Sequence, residues 1–206
     1  MTTRLLPYGP SGWLVELDAG ADAAGFASVV RRAADPAVAE VVPAARTVLV
    51  ELADSAASER VGEWLSGIDP AAGRAGPVHD GDVVVIRVDY DGPDLTAVAE
   101  ATGLDVAGVV ARHAAPVYRC AFCGFAPGFA YLSGLDPVLQ LPRRPTPRTR
   151  VPAGAVAIAA AYSAVYPSAS PGGWHLLGST GAQLWDTTRQ DPALIRPGAA
   201  VRFEVR

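Results

Sequence analysis

Residues Gly124–Leu132 (GFAPGFAYL), Leu141–Ala157 (LPRRPTPRTRVPAGAVA) and Tyr166–Trp174 (YPSASPGGW) form the stretch around which the rest of the chain is arranged. Four arginines, Arg143, Arg144, Arg148 and Arg150, fall within eight positions there. No Asp or Glu lies between Asp136 and Asp186. Pro142, Pro145 and Pro147 remove backbone donors and fix φ, so these arginines cannot ride on a regular helix. A stiff extended loop holds their guanidinium groups at set positions, and guanidinium forks suit carboxylate and phosphate. The stretch predicts an anion-handling surface, free of countercharge, on a rigid glycine-rich β scaffold.

The chain has 206 residues, half of them hydrophobic, enough for one large domain or two small ones with real cores. A net charge of −4 argues against general nucleic-acid binding. All seventeen basic residues are arginine. The lack of lysine excludes a P-loop lysine and a Schiff-base lysine, so any phosphate must be met by arginine, backbone N–H groups or a partner chain. The N-terminus MTTRLLPYGP lacks the apolar core of a signal peptide, and no run approaches the ~20 apolar residues of a membrane span. The expectation is a cytoplasmic protein without nucleic-acid or membrane partners.

Residues 1–77 predict a small β-β-α-β-β-α unit. Leu14–Leu17 reads as a strand and Asp22–Ala34 as a helix, with Phe26, Val29, Val30 and Ala33 at helical spacing. Val38–Pro43 and Thr47–Leu52 read as a hairpin, and Ser55–Ser66 as a second helix capped by Ser55. The order suggests an antiparallel sheet with two helices on one side. Pro70–Pro77 reads as a linker. In residues 78–206, Asp82–Asp89 begins a second unit. Helices follow at Leu95–Thr102 and Val106–Ala114, with Asp94 and Asp105 as caps. Strands are expected at Val117–Phe125, Ala155–Ala161, Leu176–Leu177, Ala182–Trp185 and Val201–Val205. Many short strands between Gly/Pro turns point to a barrel or closed sandwich.

The three opening blocks resemble the signature blocks of the family of 5-oxoprolinase B-type subunits. That family is also labelled allophanate hydrolase subunit 1 and includes the Kip-type inhibitor of a sporulation histidine kinase. The resemblance extends to Pro7–Pro10 and to the segment His113–Tyr118, and it is strongest from Pro116 onward. It implies an α+β fold, with a small ferredoxin-like N-terminal domain (1–77) and a cyclophilin-like β-barrel domain (78–206). It implies one component of an ATP-dependent amide or lactam hydrolase that opens 5-oxoproline to glutamate. The implied partners are a larger cyclophilin-like subunit (the C-type subunit of 5-oxoprolinase, or allophanate hydrolase subunit 2 type) and a third, A-type subunit. ATP with magnesium would sit on a partner or at a shared site. A Kip-type regulator of a sensor histidine kinase is the alternative; a cyclophilin-like peptide binder is a third, which fold alone cannot support.

On that resemblance the substrate- or anion-binding positions are Gly128, Phe129, Tyr131, Arg143, Arg148, Pro152, Tyr166, Ser170, Gly172, Gly173 and Trp174, and the catalytic candidates are His113 and Arg148. The backbone N–H groups of GFAPGF or SPGGW would hold an oxyanion. Arg144 and Arg150 are expected to face water or a partner. Ala159–Val165 replaces a stretch where the family has Gln-Thr, and Gly178-Ser179-Thr180 stands where it has Gly-Arg-Thr. Both departures put the particular substrate in question. The glycine motifs also read as plain turns. Tyr166 and Trp174 suit core packing as well as a pocket. A lone histidine such as His113 is more often a packed or surface group than a base, and Ser170 has no nucleophile elbow around it. Cys120-Ala-Phe-Cys123 has no second ligand pair for zinc, and on a strand, away from a helix N-terminus, its thiols should point to opposite faces, so both read as buried apolar groups and not as a redox pair. No metal site is expected.

Overall fold

A computed structural model describes residues 3–18, 21–73 and 83–206. The chain divides into two compact units, Met1–Pro77 and Val78–Arg206. From residue 74 onward the Pro70–Pro77 linker lies outside the described residues, as does His79.

The first unit runs β1 (Thr3–Pro7), β2 (Gly12–Leu17), α1 (Ala23–Ala33), β3 (Val38–Pro43), β4 (Thr47–Leu52) and α2 (Ser58–Ser66). Its sheet has the order β1-β2-β4-β3, with every pair antiparallel. Alternation puts Val15 and Leu17 with Val48, Val50 and Leu52 on one face. Phe26, Ala27 and Val30 of α1 and Val61 and Leu65 of α2 bury that face. Asp22 caps α1 through Gly25 N (2.8 Å). The second helix differs from expectation at its start. Ser55–Ala57 is a 3-10 turn that Asp54 caps, accepting from Ala56 N at 3.0 Å, and α2 behind it starts at Ser58 with no side-chain cap.

The second unit contains β5 (Val83–Val88), α3 (Leu95–Thr102), α4 (Val106–Ala114), β6 (Val117–Cys123), β7 (Ala130–Ser133), β8 (Arg148–Val151), β9 (Ala155–Ala159), β10 (Tyr162–Val165), β11 (Ser170–Gly172), β12 (His175–Ser179) and β13 (Ala200–Val205). Seven strands form one sheet, β12-β9-β10-β7-β6-β13-β5, in which only β13–β5 is parallel. Its two edges nearly meet. Just beyond β5, Asp89 exchanges backbone bonds with Ser179 of β12, at 2.9 and 2.8 Å. The result is a mixed α/β fold with an almost closed barrel, its two edges joined at the Asp89–Ser179 bridge. Gly178 allows the closure: a Cβ there would fall on Asp89 O. β8 and β11 pair separately as a two-stranded flap.

Ala182–Trp185 is not a strand. Thr180 Oγ1 accepts from Ala182 N (3.2 Å) in a turn around Gly181, and only Trp185 bridges, to Ala193. β7, β10 and β11 lie outside the strands that the sequence pattern predicts, and β8 lies where it predicts an extended loop. Among the described residues, no helix is long and apolar enough to cross a membrane.

His113 is fully buried, stacked on Phe203 (centroids 4.7 Å). Ser163 Oγ donates to Ala157 O (3.2 Å) and so accepts from His113 Nε2–H (2.8 Å). Nδ1 then accepts from the Tyr90 hydroxyl (2.7 Å). This network fixes the neutral tautomer. Burial pushes the imidazole pKa down to about 3. As a catalytic candidate His113 is therefore corrected to a core residue: it has no route to solvent and both ring nitrogens are occupied.

Because the folded His113 stays neutral while an unfolded one titrates near pH 6.5, its contribution is fully present above about pH 6.5 and is lost as pH falls toward about 3. Urea unfolding should lose up to about 1.4 kcal/mol per pH unit in that window from this residue. His113→Gln, followed across the same pH series, should be less stable at pH 7.5 and lack that component of the slope. An unchanged slope would remove the assignment.

Candidate functional site

The arginine-rich stretch is organised by a carboxylate from far away in the chain. Asp94 is buried at the start of α3. Its side chain does not cap the helix, as the sequence suggested, but turns to the arginines. Arg148 binds it through both nitrogens (Nη1–Oδ2 2.8 Å, Nη2–Oδ1 2.7 Å). Arg144 Nη1 donates to Oδ1 (2.5 Å), and Leu176 N donates to Oδ2 (2.7 Å). Burial raises the Asp94 pKa, but the Arg148 hydrogen bonds, the Leu176 N–H and the charges of Arg148 and Arg144 outweigh it, so the pKa ends below the ordinary value. The cluster is therefore not free of countercharge. Arg144 is paired with Asp94 although its side chain is still 31% exposed, and Arg148 is committed to Asp94. Arg150 is exposed on β8.

Beside this knot lies a hollow of about 240 Å³. Its walls are Phe125, Phe129, Tyr131, Tyr166 and Trp174, and Arg143, Pro147 and Pro171–Gly173 complete it. Phe129 is the hub, edge-on to Phe125 (5.3 Å), Tyr131 (5.0 Å), Tyr166 (5.2 Å) and Trp174 (5.7 Å). Gly172 is required, since a Cβ would strike the Tyr166 hydroxyl. Burial raises the Tyr166 pKa, partly offset by the positive charge of Arg143 and a hydrogen bond from Trp174 N–H. Phe125 is 63% exposed and sits at φ 73°, a left-handed conformation that is unusual for a bulky residue. Arg143 is exposed and makes no ion pair or hydrogen bond among the described residues. The hollow thus offers aromatic faces for a small flat molecule and one unengaged guanidinium for its negative charge.

Of the positions singled out in the sequence, Phe129, Tyr131, Arg143, Tyr166, Gly172, Gly173 and Trp174 line this hollow. The others do not. Gly128 is buried against Leu184 and Trp185, and Pro152 is exposed on a turn. Ser170 pairs with Val151, and its Oγ is buried without a hydrogen-bond partner. Backbone N–H groups of Gly124, Ala126 and Phe129 are engaged within their own turn, so GFAPGF is not an open anion nest. Asp94, Phe125, Pro147 and Pro171 were missed as site residues. Phe125 stood inside a quoted block, but nothing local marked Asp94. A hollow of about 350 Å³ in the first unit includes Arg31 and Asp35, already bonded to Val41 O and Arg60.

Residues 3–195 match the family described as carboxyltransferase domain, subdomain C and D. The chain belongs to this family. The B-type subunit of 5-oxoprolinase from Escherichia coli O157:H7 is 38% identical over 173 residues, covering 82% of this chain and 78% of that protein. The solved structure of TTHA0988 aligns with a TM-score of 0.80 at 37% identity, over 95% of this chain and 40% of that one. This chain therefore spans less than half of TTHA0988. Kluyveromyces lactis urea carboxylase shares the fold at 19% identity (TM-score 0.70), over 99% of this chain and 22% of its own.

Removing the Asp94 charge leaves two guanidinium groups facing a neutral amide in a buried place. Asp94→Asn should cost about 3–5 kcal/mol of stability, the range for breaking a buried ion pair. It should also expose residues 142–148 to limited proteolysis. Denaturant melts and mapping of the first cleavage sites would check both, and a loss under 1 kcal/mol would show that the knot is incidental.

Proposed function

We propose that this chain is the B-type subunit of an ATP-dependent 5-oxoprolinase and that the aromatic hollow receives the lactam. The observation that carries the reading is a single unengaged guanidinium, Arg143, on a ring-sized aromatic hollow. The name of the 38%-identical E. coli relative supports the same substrate. 5-Oxoproline is a small five-membered ring with one carboxylate. Arg143 pairs with that carboxylate, the aromatic walls enclose the ring, and the neutral Tyr166 hydroxyl is available to the amide oxygen. Opening an unstrained lactam is unfavourable without coupling, so ATP supplies the drive.

ATP and magnesium do not fit this hollow. Its 240 Å³ lies below the ~300–1,000 Å³ of drug-sized sites. Among the described residues no group of three or more His, Cys, Asp or Glu could hold a metal. On this reading the nucleotide belongs to a partner protein, the assembly includes the larger C-type and the third, A-type subunit, and the work is cytoplasmic. The second unit is then cyclophilin-like, which the near-closed sheet supports. The first is ferredoxin-like with its last strand moved to the front, which the order β1-β2-β4-β3 supports.

The test is ATP-dependent glutamate release from 5-oxoproline by the chain assembled with both partner proteins. Arg143→Gln should lower kcat/KM about 10–100-fold, as expected for one charge-assisted hydrogen-bonded pair. Arg150→Gln should leave turnover near wild type. A well-assembled complex without turnover would reject the substrate, and inhibition of a histidine kinase by that assembly would favour the regulator.

A further inference from the structure

The chain has two cysteines, Cys120 and Cys123, and neither takes part in the hollow. On a regular strand, side chains three positions apart face opposite ways. The strand is not regular there. Cys120 pairs with Leu132, Phe122 with Tyr131 and Cys123 with Ala130, so the register slips by one residue between Cys120 and Phe122. This bulge turns both thiols to the same side, with Sγ atoms 3.7 Å apart, in hydrogen-bond contact and not joined as a disulfide. Cys120 is buried, whereas Cys123 is half-buried at the strand's end. The thiols are not interchangeable. A hydrogen bond from Cys120 lowers the Cys123 pKa, while that same contact and burial raise the pKa of Cys120. A half-buried thiol of lowered pKa beside a buried one is the arrangement of an attacking and a resolving cysteine.

We infer that Cys120 and Cys123 are a redox-active dithiol that closes to an intrachain disulfide by exchange with a small-molecule disulfide. The Cys123 thiolate attacks one sulfur of the incoming disulfide. A Cys123 mixed disulfide forms, and one thiolate leaves and takes up the proton that Cys123 gave up. Cys120 then loses its proton and attacks the Cys123 sulfur, and the second thiolate departs with that proton. The protein dithiol is oxidised by two electrons and the small disulfide is reduced to two thiols. The sulfurs must close from 3.7 Å to about 2 Å, a local adjustment at a bulge. Gly124 and Phe125 follow Cys123 directly, so bond closure acts on the turn that carries Phe125 at the rim of the hollow.

The experiment incubates the full-length chain with oxidised glutathione, then counts thiols and measures intact mass, with circular dichroism confirming the fold. Wild type should lose both thiols, carry no adduct, and regain both on reduction. Cys120→Ser should stop at a glutathione adduct on Cys123. Cys123→Ser should keep its Cys120 thiol until unfolded. Retention of both thiols in wild type, arrest at the mixed disulfide, or dimers linked between chains would each overturn the inference. So would a Cys123→Ser variant in which folded Cys120 reacts as fast as wild type.

Discussion

A carboxylate that is 2% exposed cannot stay ionised unless its charge is met on several sides. Asp94 meets that demand with the forked guanidinium of Arg148, one nitrogen of Arg144 and the backbone N–H of Leu176. Both arginines come from the Pro/Arg loop and the Leu176 N–H comes from β12. Asp94 also joins backbone to backbone, donating its N–H to Leu176 O (3.1 Å), while Gly92 N reaches Leu177 O (3.1 Å). The same short segment carries Asp89, which links the two edges of the barrel. One run of seven residues, 89–95, thus fastens β5, β12 and the Pro/Arg loop together. A buried ion pair adds little net stability over a well-packed apolar group, but removing one partner is costly. Its effect here is to admit only one docking of the loop.

That docking sets the direction of Arg143. Arg144 N donates to Gly173 O (2.8 Å), and the His175 ring is 2.9 Å from Pro142 O, which fixes the backbone on both sides. In an extended chain consecutive side chains point to opposite faces. With Arg144 drawn to Asp94, Arg143 must turn the other way, and that is where the aromatic hollow lies. Prolines at 142, 145 and 147 reduce the freedom the loop loses on docking.

The sequence was legible where the signal was local. β3, β4, α3 and α4 lie at the residues their periodicity predicts, and Asp105 caps as expected, because spacing and caps depend on near neighbours. It was illegible where a distant residue decides. Asp94 sits 50 and 54 positions from Arg144 and Arg148, so an acid-free window around the arginines revealed nothing about their countercharge. A helix-start Asp reads as a cap by propensity, yet two guanidinium groups compete better for its oxygens than one backbone N–H. The bulge in β6 was likewise invisible, because Cys120 and Phe122 shift register only against β7. His113 could be placed on a helix but not in a core, since Tyr90 and Ser163 reach it from elsewhere.

The idea of an anion-handling surface changes form but keeps its electrostatics. Two guanidinium groups share one carboxylate, so the knot retains one uncompensated positive charge. Tyr166 registers it: Arg143 and Arg148 both pull its pKa downward, though burial dominates. Arg148 therefore acts on the hollow through its field, without lining it. Proximity in sequence made the four arginines look equivalent. The fold gives Arg144 and Arg148 to architecture and leaves Arg143 beside the rings, where an approaching anion meets a free fork against a background that is already positive.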